Sequence, residues 1–182
     1  MRSVLVGVLL LGAVACDGDG VGGIFTPSRD QSSRDDVPDE AGAAVATWEG
    51  NLSDGVVLDD LEFLEDHYCV PGTENENFNG AHVYYTYEQD AAVQVWVQVN
   101  PKAGVDVSLL VSQAPGGTSG TGWQDVVDPC EVSADLSRDN NPGEKESVKM
   151  TSLDRPYHLI IGIIGAQRED EGEFEVEIYE MQ

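Results

Sequence analysis

The side chains that could bind a transition metal are few and far apart in this chain of 182 residues, which has three histidines and three cysteines. The histidines are His67, His82 and His158, and none has a second ligand at helical spacing. Zinc ligands usually occur in short paired motifs such as HExxH or CxxC, and the sequence contains neither. We therefore expect no zinc site.

An acidic stretch offers the chemistry of a calcium site. Four oxygen-bearing side chains lie close together within the sequence ADLSRDNNPGE, namely Asp135, Asp139, Asn141 and Glu144. Calcium prefers several carboxylate and amide oxygens held in a turn. The alternative is an acidic loop that contacts only water. The sequence indicates no cofactor other than this calcium ion.

No pattern of a catalytic site stands out. Gly117–Gly122 has the outer glycines of a phosphate-binding loop, but Trp123 occupies the position that needs lysine. Ser119 lacks the second glycine of a nucleophile elbow, because Thr121 stands there. Carboxylates are too numerous to single out one acid and one base. We expect a protein that is not an enzyme, and a hydrolase of unrecognised type is the minor alternative.

The net charge narrows the choice of partners. Asp and Glu number 34 against 9 Lys and Arg, which gives a formal charge of -25. Nucleic acids carry dense negative charge, so a chain this acidic would be repelled by them. The composition therefore excludes DNA and RNA as partners.

Aromatic side chains offer a second kind of contact. Five rings could form a stacking platform for sugars or a surface for a protein: Tyr84, Tyr85, Tyr87, Trp96 and Trp123. The alternative is that most of them pack in the core. Exposed rings in one concavity would favour a polysaccharide ligand, whereas a smooth surface covered by glutamates would favour a spacer or a protein partner.

The N-terminal segment predicts the location of the protein. Residues 1–15 read MRSVLVGVLLLGAVA, which is shorter than the roughly 20 residues that cross a bilayer and suits the apolar centre of a secretory signal. With Ala13-Val14-Ala15-Cys16 at its end, the segment resembles a bacterial lipoprotein signal. The resemblance implies that Cys16 carries acyl chains such as palmitate and anchors the protein to the cell envelope. The alternative is a soluble exported protein cut before Cys16. In enteric lipoproteins an Asp at the position of Asp17 implies retention in the inner membrane, but this rule varies between lineages, so the choice of inner or outer membrane stays open.

The other two cysteines form the single remaining pair. Export favours a disulfide between Cys69 and Cys130, and the alternative is two free thiols. Residues 16–45 are rich in Gly, Ser, Asp and Pro, which predicts a disordered acidic linker. One domain follows over residues 46–182.

That domain is strongly β in character. Ala92–Val99 alternates between valines on one side and Trp96 with two glutamines on the other, which predicts a half-buried strand. Tyr157–Ile164 is nearly continuous in apolar residues and predicts a strand covered on both faces, with a bulge at Gly162. Further strands are predicted at Ala46–Glu49, His82–Tyr87, Val105–Val111, Ser147–Thr151 and Gly172–Tyr179. About seven or eight strands without long helices predict an all-β antiparallel sandwich.

Cys69 and six segments after it follow one another in an order found in a known family. The segments are the aromatic-rich AHVYYTY (81–87), Val93–Val99, VDVSLLV (105–111), the acidic stretch Asp135–Glu144, Tyr157–Ile164, and Gly172-Glu173-Phe174-Glu175-Val176. This order resembles the bacterial pre-peptidase C-terminal domains, which accompany secreted proteases. The resemblance implies a jelly-roll-like sandwich with a non-catalytic accessory role, although this chain contains no protease domain to assist.

Together these patterns predict a lipid-anchored envelope protein that faces the periplasm or the cell exterior. It would display a non-catalytic β-sandwich with a binding or structural role. The alternative is an accessory module that binds a protein or a carbohydrate, with or without calcium. The expected partners are the membrane, through the lipid, and an extracytoplasmic protein or polysaccharide.

Overall fold

A computed structural model of the chain describes residues 37–62, 64, 77–102, 104–115, 133–135 and 143–181, with the backbone alone at residues 40, 115 and 133–135. The predicted signal segment, the predicted linker as far as residue 36, and the three cysteines Cys16, Cys69 and Cys130 lie outside the described residues. Within those ranges, no helix has the length and apolar character needed to cross a bilayer.

Nine strands form in the described part of the chain. Their bounds are β1 Ala46–Asn51, β2 Val56–Val57, β3 Ala81–Gln89, β4 Gln94–Pro101, β5 Val107–Pro115, β6 Ser133–Asp135, β7 Glu146–Thr151, β8 Tyr157–Gly165 and β9 Glu173–Met181. Short 3-10 turns, Asp39–Ala41 and Leu52–Asp54, lie on either side of β1. The long strands coincide with the predicted ones. Strands β2 and β6 have only two and three residues, too few for the sequence pattern to reveal them.

The strands form two antiparallel sheets. Their orders are β1-β9-β4-β7 in the four-stranded sheet and β2-β3-β8-β5-β6 in the five-stranded sheet. Apart from the β2–β3 and β5–β6 steps, each connection crosses from one sheet to the other, which is the connectivity of a jelly roll. The predicted fold class, an all-β antiparallel sandwich, is confirmed.

Inward-facing side chains fill the space between the sheets. Those of β4 and β9 are fully buried: Val95, Val97, Val99, Phe174, Val176 and Ile178. From the other sheet, the ring of Tyr85 stacks on Trp48 with 5.5 Å between the ring centroids. Gly50 leaves space for this ring, because a Cβ there would lie 2.2 Å from the Tyr85 hydroxyl. Strand β9 is therefore half-buried, as predicted, whereas the prediction for β4 is wrong at its centre, because the outward-facing Trp96 and Gln98 are buried as well.

Strand β8 is covered on both faces, which confirms the interpretation of its apolar run. Every residue of Leu159–Gly165 is buried. One face lies in the sandwich core, and the other packs in a second apolar cluster under Leu64 and Phe78. The further buried members of that cluster are Leu110, Ala114, Ile160 and Ile164. We call the outward side of the five-stranded sheet, with this cluster, the covered face.

The predicted bulge at Gly162 is wrong. The pairing of β8 runs without interruption through Gly162, which lies opposite Tyr84 on one side and Leu110 on the other. A Cβ at this position would lie 2.8 Å from Cε1 of Tyr84. The glycine therefore makes room for an aromatic ring and does not interrupt the ladder.

Candidate functional site

The outward side of the four-stranded sheet is the candidate site. Because side chains alternate along a strand, the register brings these residues to it: Thr47, Glu49, Asn51, Glu173, Glu175, Glu177, Tyr179, Met181, Gln94, Trp96, Gln98, Asn100, Ser147, Lys149 and Thr151. We call this surface the acidic face. Strand β9 contributes alternate glutamates to it, as its sequence predicts.

Four carboxylates crowd one part of this face. Glu49 lies directly opposite Glu175 across the β1–β9 pair, and Glu173 and Glu177 flank Glu175 along β9. Like charges directly opposite each other in a sheet destabilise it. The ion pair found among the described residues, Arg168 with Asp59 at 3.2 Å, involves none of the four. None of the four glutamates therefore takes part in an ion pair among the described residues, and Lys149 is a basic side chain on the same face.

Two amides hold one of the four carboxylates in place. Glu177 Oε2 accepts hydrogen bonds from Gln98 Nε2 at 2.9 Å and from Asn100 Nδ2 at 2.6 Å. Gln98 Nε2 also donates to Asn100 Oδ1 at 3.1 Å. Burial raises the pKa of the Tyr179 phenol, and a hydrogen bond to Glu177 with the charges of Glu177 and Glu175 raises it further. The carboxylates thus raise the pKa of a neighbouring phenol on the same face.

The centre of the acidic face is more buried than the alternating pattern of β4 predicts. Trp96 and Gln98 point outward, yet only 5% and 8% of their surfaces are exposed. In the register, Trp96 lies between Lys149 and Tyr179, and Lys149 Nζ is 5.7 Å from the centroid of its ring. This is a cation–π distance. The indole Nε1 is buried and has no hydrogen-bond partner among the residues that the structure describes.

A cavity of about 280 Å³ lies at one end of the same face. It is lined by residues from three distant parts of the chain: Ala92, Val93, Gln94, Thr151, Ser152 and Met181. Three of them, Gln94, Thr151 and Met181, are cross-strand neighbours on the acidic face. The cavity and the carboxylates therefore belong to one continuous surface.

Buried polar contacts fix the wall of this cavity. Ser152 Oγ accepts the Val93 N–H at 3.0 Å and donates to the Asp90 carbonyl at 2.6 Å. Gln89 Nε2 donates to the Val93 carbonyl at 2.9 Å. Ala92 has a φ of 59°, a left-handed conformation that is uncommon for a residue with a side chain. The turn after β3 is thereby joined to the end of β7 in one rigid arrangement.

The other predicted aromatic contacts lie in the core. Tyr85 and Tyr87 are 8% and 7% exposed and face the space between the sheets. Tyr84 points to the covered face, where it packs against the second apolar cluster. Trp123 lies outside the described residues. The described rings therefore form no exposed platform for stacking sugars.

The predicted metal and disulfide residues fall largely outside the described structure. Asp139, Asn141, Cys69 and Cys130 are not described, and neither is Cys16, the predicted lipid attachment residue. Asp135 is described by its backbone alone, in β6 opposite Leu109, and Glu144 is exposed. Among the described residues, no three His, Cys, Asp or Glu side chains are grouped to hold a metal. The calcium site and the disulfide stay predictions.

Among the described histidines, His82 has a strongly lowered pKa, and both of its ring nitrogens lie at hydrogen-bond distance from neighbouring groups. His82 Nε2 lies 3.0 Å from the Phe78 carbonyl and Nδ1 lies 3.0 Å from the Tyr84 hydroxyl. A carbonyl can only accept, so Nε2 carries the proton and Nδ1 accepts from the tyrosine. Burial lowers the pKa of His82 to about 4, although the bond to Phe78 opposes the shift. His82 therefore joins β3 to the segment that lies over the covered face.

A carboxyl group with a shifted pKa, that of Asp106, lies elsewhere. Burial, and then the charge of Asp170, raises the pKa of Asp106. Asp106 lies just before β5, and Asp170 lies between β8 and β9. Neither residue belongs to the acidic face or to the surroundings of His82. The perturbed groups are thus dispersed over the described part of the molecule.

Sequence reasoning found the glutamates of β9 but missed the cavity. The alternation of Glu173, Glu175 and Glu177 with apolar residues was a sufficient signal for an exposed acidic row. The cavity depends on the meeting of residues 92–94, 151–152 and 181, and no local pattern specifies that meeting. The packing of Trp96 between Lys149 and Tyr179 likewise depends on register.

Comparisons with known proteins concern solved structures. No protein-family model and no curated protein sequence matches the chain. The pre-peptidase C-terminal domain of collagenase from Bacillus anthracis is similar at 12% identity and a TM-score of 0.38, over 73% of this chain and 87% of that one. PliG of Aeromonas hydrophila, a periplasmic inhibitor of g-type lysozyme, is similar at 12% identity and a TM-score of 0.38, over 80% and 93%. Nothing about ligand, partner or activity follows from either likeness.

Proposed function

We propose that the protein is a lipid-anchored component of the bacterial cell envelope whose β-sandwich binds another protein outside the cytoplasm, without catalysing a reaction. The observation that carries this proposal is the group of four neighbouring carboxylates on the acidic face, none of which is in an ion pair among the described residues: Glu49, Glu173, Glu175 and Glu177. An array of one charge sign on an exposed face speeds association with a partner of the opposite sign and selects against partners of the same sign.

The choice of a protein over a polysaccharide rests on the aromatic rings. Binding of sugars by stacking needs exposed ring faces, whereas Tyr85, Tyr87 and Trp96 are each less than 9% exposed. The acidic face instead offers carboxylates, amides and one cavity. Lysine and arginine side chains of a protein are the natural partners of such groups.

The proposed anchor rests on residues 1–15 and Cys16. A lipoprotein anchored by two or more acyl chains stays at the membrane, because a single chain gives only marginal binding. The test is Cys16→Ser: we expect the wild-type protein in the detergent phase and the variant in the aqueous phase. A variant that still enters the detergent phase would disprove the anchor.

The proposed protein partner is tested by photo-crosslinking in intact cells. A photo-reactive amino acid replaces Glu175 on the acidic face in one variant, and replaces the exposed Glu88 of the five-stranded sheet in a matched control. We expect the first variant to form a discrete crosslinked protein band that the second does not form. Crosslinking to polysaccharide alone, or the same bands from both positions, would contradict the proposal.

A further inference from the structure

The carboxylates of the acidic face and the cavity are spaced so that a single extended peptide chain can contact all of them. Along β9, outward positions occur at every second residue, from Glu173 through Glu175, Glu177 and Tyr179 to Met181 at the cavity. With a rise of about 3.4 Å per residue, neighbouring carboxylates are about 7 Å apart, and the last one is about 14 Å from Met181. An extended segment lying along β9 repeats its own side chains at the same interval.

The cavity itself suits one apolar side chain. Its volume of about 280 Å³ is below the usual range of a drug-sized site but leaves room for a single large residue. Ala92, Val93 and Met181 supply apolar surface. The hydroxyl of Ser152 is already bonded to the backbone of Asp90 and Val93. Because these hydrogen bonds already fix the wall, binding of an occupant does not cost the conformational entropy of ordering the cavity.

An unpaired hydrogen-bond donor, the indole N–H of Trp96, lies on the same face between the carboxylates and the cavity. The Nε1 of Trp96 is buried without an acceptor in the described part of the chain, which is a costly state for a polar group. Trp96 shares its strand face with Gln94 at the cavity and with Gln98, which holds Glu177. A backbone carbonyl of a chain laid across this region is the kind of group that the donor lacks.

From these observations we propose that the acidic face binds an extended basic segment of a partner protein, with lysine or arginine at alternate positions and one large apolar residue in the cavity. This inference rests on the proposed function and names the surface and the chemistry of the partner. The cationic side chains lie against Glu173, Glu175 and Glu177, and the apolar one lies four residues further along.

The charge of the chain favours this occupant over others. The formal charge of -25 repels anionic membranes, nucleic acids and a second copy of the chain. It attracts a segment whose cations lie at alternate positions. Binding is accordingly expected to weaken as salt rises, because the ion pairs lie at an exposed face.

The test uses the full chain in detergent and a synthetic peptide probe, Lys-Ser-Lys-Ser-Lys-Ser-Gly-Ser-Phe. We expect the peptide to shift the NMR signals of Glu173–Glu177, of the cavity residues and of the Trp96 indole N–H. Replacing the phenylalanine of the peptide by glycine should weaken binding at least about tenfold, since the buried ring is lost. A peptide of the same composition with its three lysines adjacent should also bind more weakly.

Matched charge variants of the protein separate the site from the overall charge. Glu173→Gln with Glu175→Gln removes two charges from the acidic face and should weaken binding about tenfold. Glu62→Gln with Glu88→Gln removes the same charge at exposed positions away from this face, and should weaken it less than about twofold. Equal effects of the two pairs, or equal binding of the rearranged peptide, would overturn the proposal.

The outcomes distinguish this inference from the proposed function. If crosslinks to a protein form at Glu175 in cells but the peptide shifts no signal on the acidic face, the assigned partner chemistry is wrong and protein binding stands. If the peptide binds as expected but cells yield only polysaccharide at Glu175, protein binding as the function is wrong.

Discussion

The outward sides of the two sheets have opposite chemistry. The covered face of the five-stranded sheet packs its side chains under Leu64 and Phe78, both fully buried. The acidic face of the four-stranded sheet carries glutamates and amides, with Glu49 directly opposite Glu175. Apolar area removed from water stabilises a fold, and like charges opposite each other destabilise it. One face therefore contributes to stability, while the other costs stability and is available for binding.

The largest expected effect concerns the predicted disulfide between Cys69 and Cys130. In sequence, Cys69 lies between Leu64 and Phe78, which are both fully buried against the covered face. Closing a loop of about 60 residues stabilises a fold by about 4 kcal/mol in the chain-entropy account. We expect Cys69→Ser to lower the free energy of unfolding in urea by that amount. Alkylation of both cysteines in unreduced protein, seen by mass spectrometry, would refute the bond.

Phe78→Ala should be nearly as harmful. Phe78 is fully buried against the covered face, and removal of such a ring leaves a cavity, with an expected cost of about 3 kcal/mol. Leu153→Ala is the control, because Leu153 is 77% exposed and its loss should cost below about 0.5 kcal/mol. Denaturant unfolding of both variants measures the difference. Similar losses from the two would mean that the covering segment adds little stability.

Low pH should lower the stability of the fold, because His82 becomes protonated. Its pKa is about 4 in the folded protein and 6.5 as the ordinary value, so the unfolded chain binds more protons between these values. Stability is then lost as the pH falls from 6.5 towards 4, by about 3 kcal/mol in total. The variant His82→Gln should lack this part of the pH dependence. Parallel stability curves for wild type and variant between pH 7 and 4 would exclude the effect.

Gly162→Ala tests the packing beneath the same face. The added methyl would lie 2.8 Å from the Tyr84 ring, and such overpacking costs about 2 kcal/mol. In a Tyr84→Leu background the ring is absent, so we expect a markedly smaller cost. A double-mutant cycle in urea measures the coupling. A cost that does not depend on residue 84 would show that the ring is not the obstacle.

Calcium should have the smallest effect. Asp135, Asp139, Asn141 and Glu144 lie on or between β6 and β7, which belong to different sheets. For a site of millimolar affinity, millimolar calcium should raise the melting temperature of the full chain by about 1 to 2 °C relative to chelator. Asp139→Asn should abolish the rise, and Asp154→Asn at an exposed turn should not. No rise in the wild type would remove the site.

The sequence revealed most of the fold because burial leaves a local pattern. Glutamates alternate with Phe174, Val176 and Ile178 since β9 has one face in water, and Leu159–Ile164 is continuous since β8 has none. Strand order is not local. The neighbours of β9 are β1 and β4, which are far from it in sequence, and no periodicity specifies such pairs.

The candidate site was predictable only in part, for the same reason. The glutamates of β9 follow from alternation, but the opposition of Glu49 and Glu175 requires the register of β1. The burial of Trp96 arises from flanking residues on two other strands, Lys149 and Tyr179. The turn at Ala92 has a positive φ but contains no glycine, so the sequence does not predict this conformation.

The pairing of β1 with β9 has a mechanical consequence. The chain enters the sandwich at Ala46, and β1 runs antiparallel to β9 through six residue pairs, from Ala46 with Ile178 to Asn51 with Glu173. A pull on the N-terminal end of the chain along the strand direction, with β9 held in place, acts parallel to β1. The hydrogen bonds of the ladder are then loaded in shear and bear the force together, not one after another. The β1–β9 ladder is thus suited to resist tension in that direction.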